Sequence, residues 1–436
     1  MKKTIFKSFI QNTSIKEKNL INFKFFLFFL ILLSYFLGFY YRENIAGGAE
    51  ADFNNLTWKG ILAFKNNFTE TLFNYGAIGE GSLPLFHIIN AYLNPLSYSQ
   101  VSFQFSICLL SLLNVVFFSQ ILRQKYKINN VDSYLYSSIF LILPFFRSSA
   151  FWGLTENLGW LFLILTIKYY LVVEKNKVNI FLICLFSSLA LYTRPYLIFF
   201  PVFFIMSLLI KKDYFILKTS IFYYTIFAIP GLILLYIWGG SVYLGTGEDK
   251  VNFILEYHQP KFIFKNLVIF SSIFLFYLLP FHLVSFSTEK KIDRNKKIYY
   301  LIALIFLLTL NHLNVFDYLK DNTLGGGAFL KISQLFFYDN NLLFIIIAFF
   351  GIISIIYFLE ISKKNFVLIF CILIIYCTAK NIYQEYFEPL LLIALLSLFD
   401  LKKPSINVLK DNKTVLKFLF YFSIYFFSSY YYRYNI

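Results

Sequence analysis

Charge is scarce in this sequence: Asp, Glu, Lys and Arg make up 14% of its 436 residues, against about 25% in an ordinary soluble domain. So little charge cannot cover a globular surface, which excludes a soluble globule. Cysteine is rarer still. Four residues cannot staple a secreted disulfide scaffold of this length, and Cys108, Cys184, Cys371 and Cys377 all lie in apolar runs, where they read as small buried hydrophobes. The four histidines are scattered, with no HExxH pattern and no cysteine partner, which argues against zinc. There is no Ser-centred nucleophile elbow and no P-loop. Disorder, collagen and coiled coil fail on composition as well.

Hydrophobic residues make up 59% of the chain, including 58 Phe and 34 Tyr, and the mean hydropathy is +0.66. The composition predicts an all-α polytopic integral membrane protein with about 11–13 transmembrane helices. Apolar runs place the spans near 23–41, 99–121, 134–146, 154–172, 178–193, 195–210, 215–238, 265–287, 298–313, 340–360, 366–379, 383–399 and 415–432. The stretches 134–146 and 178–193 are short enough to suggest kinked or paired half-helices. The first run lacks a small-residue cleavage site and ends in Tyr40-Tyr41 and Arg42-Glu43, so it reads as a retained signal-anchor.

Loops on the N-terminal side carry about 27 of the 39 basic residues, and those on the other side carry about 12. Positive loops stay cytoplasmic, which sets the N-terminus inside and the C-terminus outside. The net charge of +16 is therefore a membrane-edge feature, drawn by anionic lipid, and calls for no nucleic-acid partner.

Within this single transmembrane domain, 1–436, three long loops face outward: 42–98, 239–264 and 314–339. Long loops tend to carry function. The first holds Glu50 and Asp52 at the start of an amphipathic segment running to about Asn66. A carboxylate at the water–lipid boundary suits a general base, and a solvated loop acid is the plain alternative. The second holds His258 in Glu256-Tyr257-His258-Gln259-Pro260-Lys261, a candidate substrate contact. The third holds Asp321-Asn322, Lys331 and a Gly325-Gly326-Gly327 stretch that reads as a flexible turn. At the span ends stand Arg147, Glu156 and Arg194, one acid and two arginines on the outer side. Charge at membrane depth is a functional hint, and an arginine pair suits phosphate. A snorkelling anchor for either Arg, or a helix N-terminal acid for Glu156, is the alternative.

The order of these features resembles the GT-C class of multi-span glycosyltransferases, and within it the dolichyl-phosphate-glucose α-1,2-glucosyltransferase family. The residues carrying the likeness are Glu50-Ala51-Asp52, Leu83-Pro84-Leu85, Thr155-Glu156, Tyr192-Thr193-Arg194, Gly239-Gly240, Phe281-His282-Leu283, Asp321-Asn322 with Lys331, and Tyr386-Phe387-Glu388-Pro389. They are collinear from about residue 50 to 390. Here Ala51 splits the acids, and Thr323-Leu324 stands where the family has Arg-His, which fits a distant bacterial-type relative. The resemblance implies inverting transfer from a polyprenyl-phosphate sugar to a lipid-linked or envelope glycan. It casts Asp52 or Glu50 as base, with Arg194, Lys331 and Arg147 at the phosphate and Glu156 orienting the acceptor or an arginine. It also implies a site on the periplasmic or extracellular face of a bacterial plasma membrane. It points to no definite cofactor, and a divalent cation is compatible. An O-antigen ligase or polymerase, or a lipid or glycan transporter, would share the many spans. The ligase would favour basic outer loops and the transporter mid-span acids or an internal repeat, and this chain has neither.

Overall fold

The computed structural model describes residues 2–79, 81–172, 176–240, 243–244, 251–285, 301, 303–309, 325–337, 341–411 and 413–435. The described chain is mostly helical; its β structure is a two-residue antiparallel ladder, in which Tyr243–Leu244 pairs with Val251–Asn252, and a single antiparallel bridge between His258 and Ala379.

Helix α1 is Lys2–Tyr40. Three short helices follow: α2 (Ala49–Asp52), α3 (Trp58–Asn66) and α4 (Phe68–Phe73). A π turn, Phe53–Thr57, joins α2 to α3, so the segment expected to be amphipathic is one helical run that buries Phe53, Ile61 and Phe64. Next come α5 (Leu85–Tyr92), α6 (Gln100–Tyr126), α7 (Asn130–Ser138), α8 (Pro144–Phe151) and α9 (Glu156–Tyr170). Then come α10 (Lys177–Thr193), α11 (Phe199–Lys211), α12 (Tyr214–Ile237), α13 (Phe253–Tyr257) and α14 (Ile263–Ser285). The series closes with α15 (Ala328–Phe337), α16 (Leu342–Ile361), α17 (Lys363–Cys377), α18 (Leu390–Ile393), α19 (Lys403–Leu409) and α20 (Thr414–Asn435).

Among the described residues five helical stretches are long and apolar enough to cross a bilayer: Asn19–Tyr40, Gln100–Tyr126, Tyr214–Ile237, Pro260–Phe281 and Leu342–Ile361. Helices α8 and α9 form a sixth if taken together, though they meet at a bend of 116°. Several of the thirteen expected spans therefore need correction. The run 134–146 is broken by a 3-10 turn, Ile139–Ile142, and restarts at Pro144, whose ring fits only the first turn of a helix. The run 178–193 is one unbroken helix. The run 383–399 is a 3-10 turn, Gln384–Phe387, followed by a helical stretch over Leu390–Leu398. That stretch covers about 14 Å at 1.5 Å per residue, roughly half a bilayer core. It is wholly buried instead. The run 298–313 lies mostly outside the described residues.

The helices pack with two distinct ends. At one, Lys24 of α1 pairs with Asp132 of α7 at 2.5 Å, and Lys125 Nζ donates to the Ser397 and Phe399 carbonyls at 2.9 and 2.8 Å. Lys364 pairs with Asp400 at 3.0 Å at this end too. At the other end α1 and α20 finish side by side, where Asn44 N donates to Tyr434 Oη at 3.1 Å. The outer helices present wide apolar faces: Phe25, Phe26 and Phe29 on α1, and Phe215, Phe222 and Leu232 on α12, are all exposed. Tyr192 of α10 reaches into α12 just past Pro230, accepting from Gly231 N at 3.0 Å and donating to Phe227 O.

Candidate active site

The end of the bundle away from Lys24 carries Asp52, Glu156 and Arg194. Asp52 closes α2, and its backbone N–H bonds Gly48 O at 3.0 Å. The next residue, Phe53, is buried and stacks on Phe103 at 6.1 Å, with Trp152 at 6.4 Å. That aromatic anchor fixes where Asp52 stands, while the carboxylate itself is exposed. Glu50 is exposed on the same short helix. Residues two apart on a helix do not share a face, so the two acids diverge.

Arg194 ends α10. Pro195 follows and forces Arg194 out of helical geometry, to φ −142°, which turns its side chain away from the α10 axis. The guanidinium forms an ion pair with Glu156, the first residue of α9. Gly159 lets the two helices close there, since a Cβ on it would lie 3.1 Å from Thr193 Oγ1 and 3.4 Å from Arg194 Cγ. Of the Glu156 oxygens, Oε2 is buried with no hydrogen-bond partner among the described residues. Arg194 also lies over the Tyr196 ring at 5.8 Å. Tyr196 in turn packs on Trp160, Tyr376 and Tyr386 at 6.0, 5.4 and 5.8 Å.

Glu385 completes the group, and the sequence pattern did not single it out. It sits in the turn before the buried Leu390–Leu398 stretch, outside any spanning helix. Burial pushes its carboxyl up to about 7, with Arg194 opposing that rise and Asp52 adding to it. Asp52 and Glu385 likewise both act on Tyr386. Asp52, Arg194, Glu156 and Glu385 thus belong to one electrostatic neighbourhood, drawn from four separate parts of the chain. The signal available in sequence was an acid at the mouth of an apolar run, which the reading of 383–399 as one span concealed.

Other expected residues lie elsewhere. Arg147, expected at a phosphate, is 1% exposed, and all five of its N–H donors are engaged. They go to both Glu43 oxygens, to Ser34 Oγ and O, and to Leu141 O. Arg147 is therefore an internal anchor, and none of its donors remains for a ligand.

His258 approaches Thr378 Oγ1 at 3.3 Å, and its imidazole is held below its ordinary range by burial. Lys331 is half-buried on α15 and likewise lowered by burial. Asp321 and Asn322 lie outside the described residues.

Two of the long loops nonetheless converge on the segment that carries Glu385. Gln259 N bonds Thr378 O at 2.8 Å, and Gly326 N bonds Ile382 O at 2.9 Å. Ala328 N bonds Gln384 Oε1 at 2.5 Å. The triple glycine is consequently no slack turn: all three residues have positive φ, and a Cβ on Gly325 would lie 2.6 Å from Ile382 O.

Among the described residues no group of three or more His, Cys, Asp or Glu side chains is placed to hold a metal ion. Comparison with protein-family models, curated proteins and solved structures finds no match, so the functional reading rests on this geometry.

Proposed function

We propose that this protein is an integral membrane glycosyltransferase that moves a sugar, with inversion, from a polyprenyl-phosphate donor to a lipid-linked or cell-envelope glycan. The observation that carries the reading is the Arg194–Glu156 ion pair at one end of an apolar bundle, with Glu385 in electrostatic reach of both Arg194 and Asp52. Exposed apolar faces such as that of α12, with Phe215, Phe222 and Leu232, suit lipid tails. The lysine-bearing end holding Lys24, Lys125 and Lys364 suits the cytoplasmic side. The acidic end then faces outward, in a bacterial plasma membrane.

In this mechanism Asp52, exposed to water, takes the proton of the acceptor hydroxyl as its oxygen attacks the anomeric carbon. Attack from the face opposite the phosphate inverts that centre. Arg194 offers its planar donors to the leaving phosphate, and Glu156 holds Arg194 in position until the donor arrives. The aromatic shelf of Tyr196, Tyr376 and Tyr386 provides flat apolar surface beside the reacting groups. The reading requires no cofactor and leaves room for a divalent cation at the phosphate.

The test is sugar transfer by the purified protein in lipid nanodiscs, supplied with polyprenyl-phosphate hexoses and pentoses and with cell-derived lipid-linked acceptors. Transfer that vanishes in Asp52→Asn is the expected result. Folded wild-type protein that transfers from none of these donors would overturn the reading and bring forward the ligase or transporter alternatives.

A further inference from the structure

A crevice opens where α1 finishes and α6 begins, and none of the residues around Arg194 line it. Both helices are long and apolar enough to cross a bilayer, so their ends mark the level of the lipid headgroups. The exposed rings of Tyr40 and Tyr41 suit that level too. The cavity holds about 130 Å³, with the buried Phe151 and Trp152 as its floor and the exposed Tyr40 and Val101 at its open side. Beneath it α1 and α6 are held together by Phe39 on Phe105 at 5.7 Å and by a hydrogen bond between Tyr35 and Ser111.

Two polar side chains line this apolar space. Gln104 is 7% exposed, and its amide makes no hydrogen bond among the described residues. Such a group is costly unless something in the cavity meets it. Arg42 makes no ion pair or side-chain hydrogen bond among the described residues, and the adjacent Glu43 has both oxygens on Arg147. The end of α1 holds Arg42 here. Arg42 N bonds Phe39 O at 3.1 Å and Glu43 N bonds Gly38 O at 2.9 Å, the left-handed stop in which glycine is the usual residue. Arg42 takes that conformation, with φ 53°, and so bears a strain that glycine would not.

We propose that this crevice binds one anionic glycerophospholipid of the surrounding membrane. Its phosphate meets Arg42, an ester carbonyl accepts from the Gln104 amide, and an acyl chain runs along the seam between α1 and α6. The proposal stands apart from the transferase reading and needs only that the apolar helices lie in lipid. A guanidinium with no carboxylate partner calls for a phosphate. Gln104 then selects the kind of lipid, because a glycerol ester supplies an acceptor below the phosphate, whereas the hydrocarbon of a polyprenyl phosphate would leave the buried amide unmet. No carboxylate lines the cavity to receive the ammonium of a zwitterionic head, which favours net negative charge. A cavity of about 150 Å³ takes up benzene, so this one has room for the glycerol and an ester, with the chains outside. Leu33 and Leu37 on α1 and Leu109 and Leu113 on α6 are exposed at four-residue spacing, and each pair gives such a chain an apolar face.

Native mass spectrometry of the detergent-solubilised protein, titrated with phosphatidylglycerol, phosphatidylcholine or polyprenyl phosphate, tests this. The wild type should retain one phosphatidylglycerol in preference to either other lipid. Arg42→Gly keeps the left-handed turn and relieves its strain, so it should weaken that binding about 10–100-fold with no fall in melting temperature. Gln104→Leu should weaken it about 2–10-fold and narrow the preference over polyprenyl phosphate. In nanodiscs, phosphatidylglycerol with brominated acyl chains should quench a tryptophan component that is missing in Trp152→Phe and quenched less in Arg42→Gly. Equal retention of phosphatidylglycerol and phosphatidylcholine would mark an unselective lipid belt and overturn the proposal. Binding unchanged in both Arg42→Gly and Gln104→Leu would overturn it as well, and so would tighter retention of polyprenyl phosphate. None of these outcomes depends on sugar transfer, so failure of the transferase reading leaves the proposal standing.

Discussion

Glu43 and Arg147 form a two-toothed pair, with Nε to Oε1 and Nη2 to Oε2 both at 2.7 Å. The pair joins the chain leaving α1 to the short helix α8, and Trp152 Nε1 locks the same turn by donating to Glu43 O at 3.1 Å. The second arginine at this end, Arg194, is partly exposed and pairs with a single carboxylate oxygen of Glu156. Burial and the full use of its donors make Arg147 part of the frame, and partial exposure leaves Arg194 within reach of a ligand.

Removing one member of the buried pair strands the other. Arg147→Met should lower stability by about 3–5 kcal/mol, and Glu43→Gln with Arg147→Met together should recover part of that loss. Thermal unfolding in detergent or nanodiscs measures both. An unchanged melting temperature for Arg147→Met would contradict the anchoring role.

The acidic pair after α1 should separate cleanly. Asp52→Asn is expected to lower transfer about 10²–10⁴-fold, and Glu50→Gln to leave it within about threefold, because the two side chains leave their helix on different faces. Initial rates of both variants decide it. The reverse order of effects would make Glu50 the base.

Glycine substitutions should differ by what the new methyl meets. At Gly239, φ is +79° and nothing lies within 4 Å, so Gly239→Ala should cost only backbone strain, about 1–2 kcal/mol. At Gly325 the methyl would also meet Ile382 O at 2.6 Å and push on the segment carrying Glu385. Gly325→Ala should therefore destabilise more and also lower transfer. Equal effects in the two variants would show that the packed turn does not position the site.

Stability should depend on pH through Glu385. Its carboxyl moves from an ordinary 4.5 to about 7 in the folded chain, chiefly by burial. Between those values the folded state holds a proton that the unfolded state has lost, so stability falls as pH rises from about 4.5 to about 7. Glu385→Gln should flatten that slope in denaturation measured across the window. A slope unchanged by the substitution would place the titration on another group.

Local pattern carried part of this account. The helical run was legible from Asp52 to about Asn66 because its apolar residues recur at helical spacing, and the break near Pro144 because proline cannot continue a helix inward. Arg194 and Glu156 stood out as charges at the edges of apolar runs. Arg147 looked the same in sequence, since nothing local distinguishes an arginine facing a ligand from one whose five donors are met by Ser34, Glu43 and Leu141. Glu385 was hidden by an opposite ambiguity: a short apolar run reads alike as a membrane span or as a fully buried core segment.

The sequence by itself determined the helical class of the fold and its long apolar helices, because hydropathy and backbone hydrogen bonding depend on composition summed over many residues. Only the tertiary structure decided which charged groups meet. Asp52, Glu156, Arg194 and Glu385 come from segments up to hundreds of residues apart, and their electrostatic coupling depends on separation in space and on local burial. Helix packing, the 116° bend between α8 and α9 and the tight glycine turn at 325–327 set those separations, and no local pattern records them.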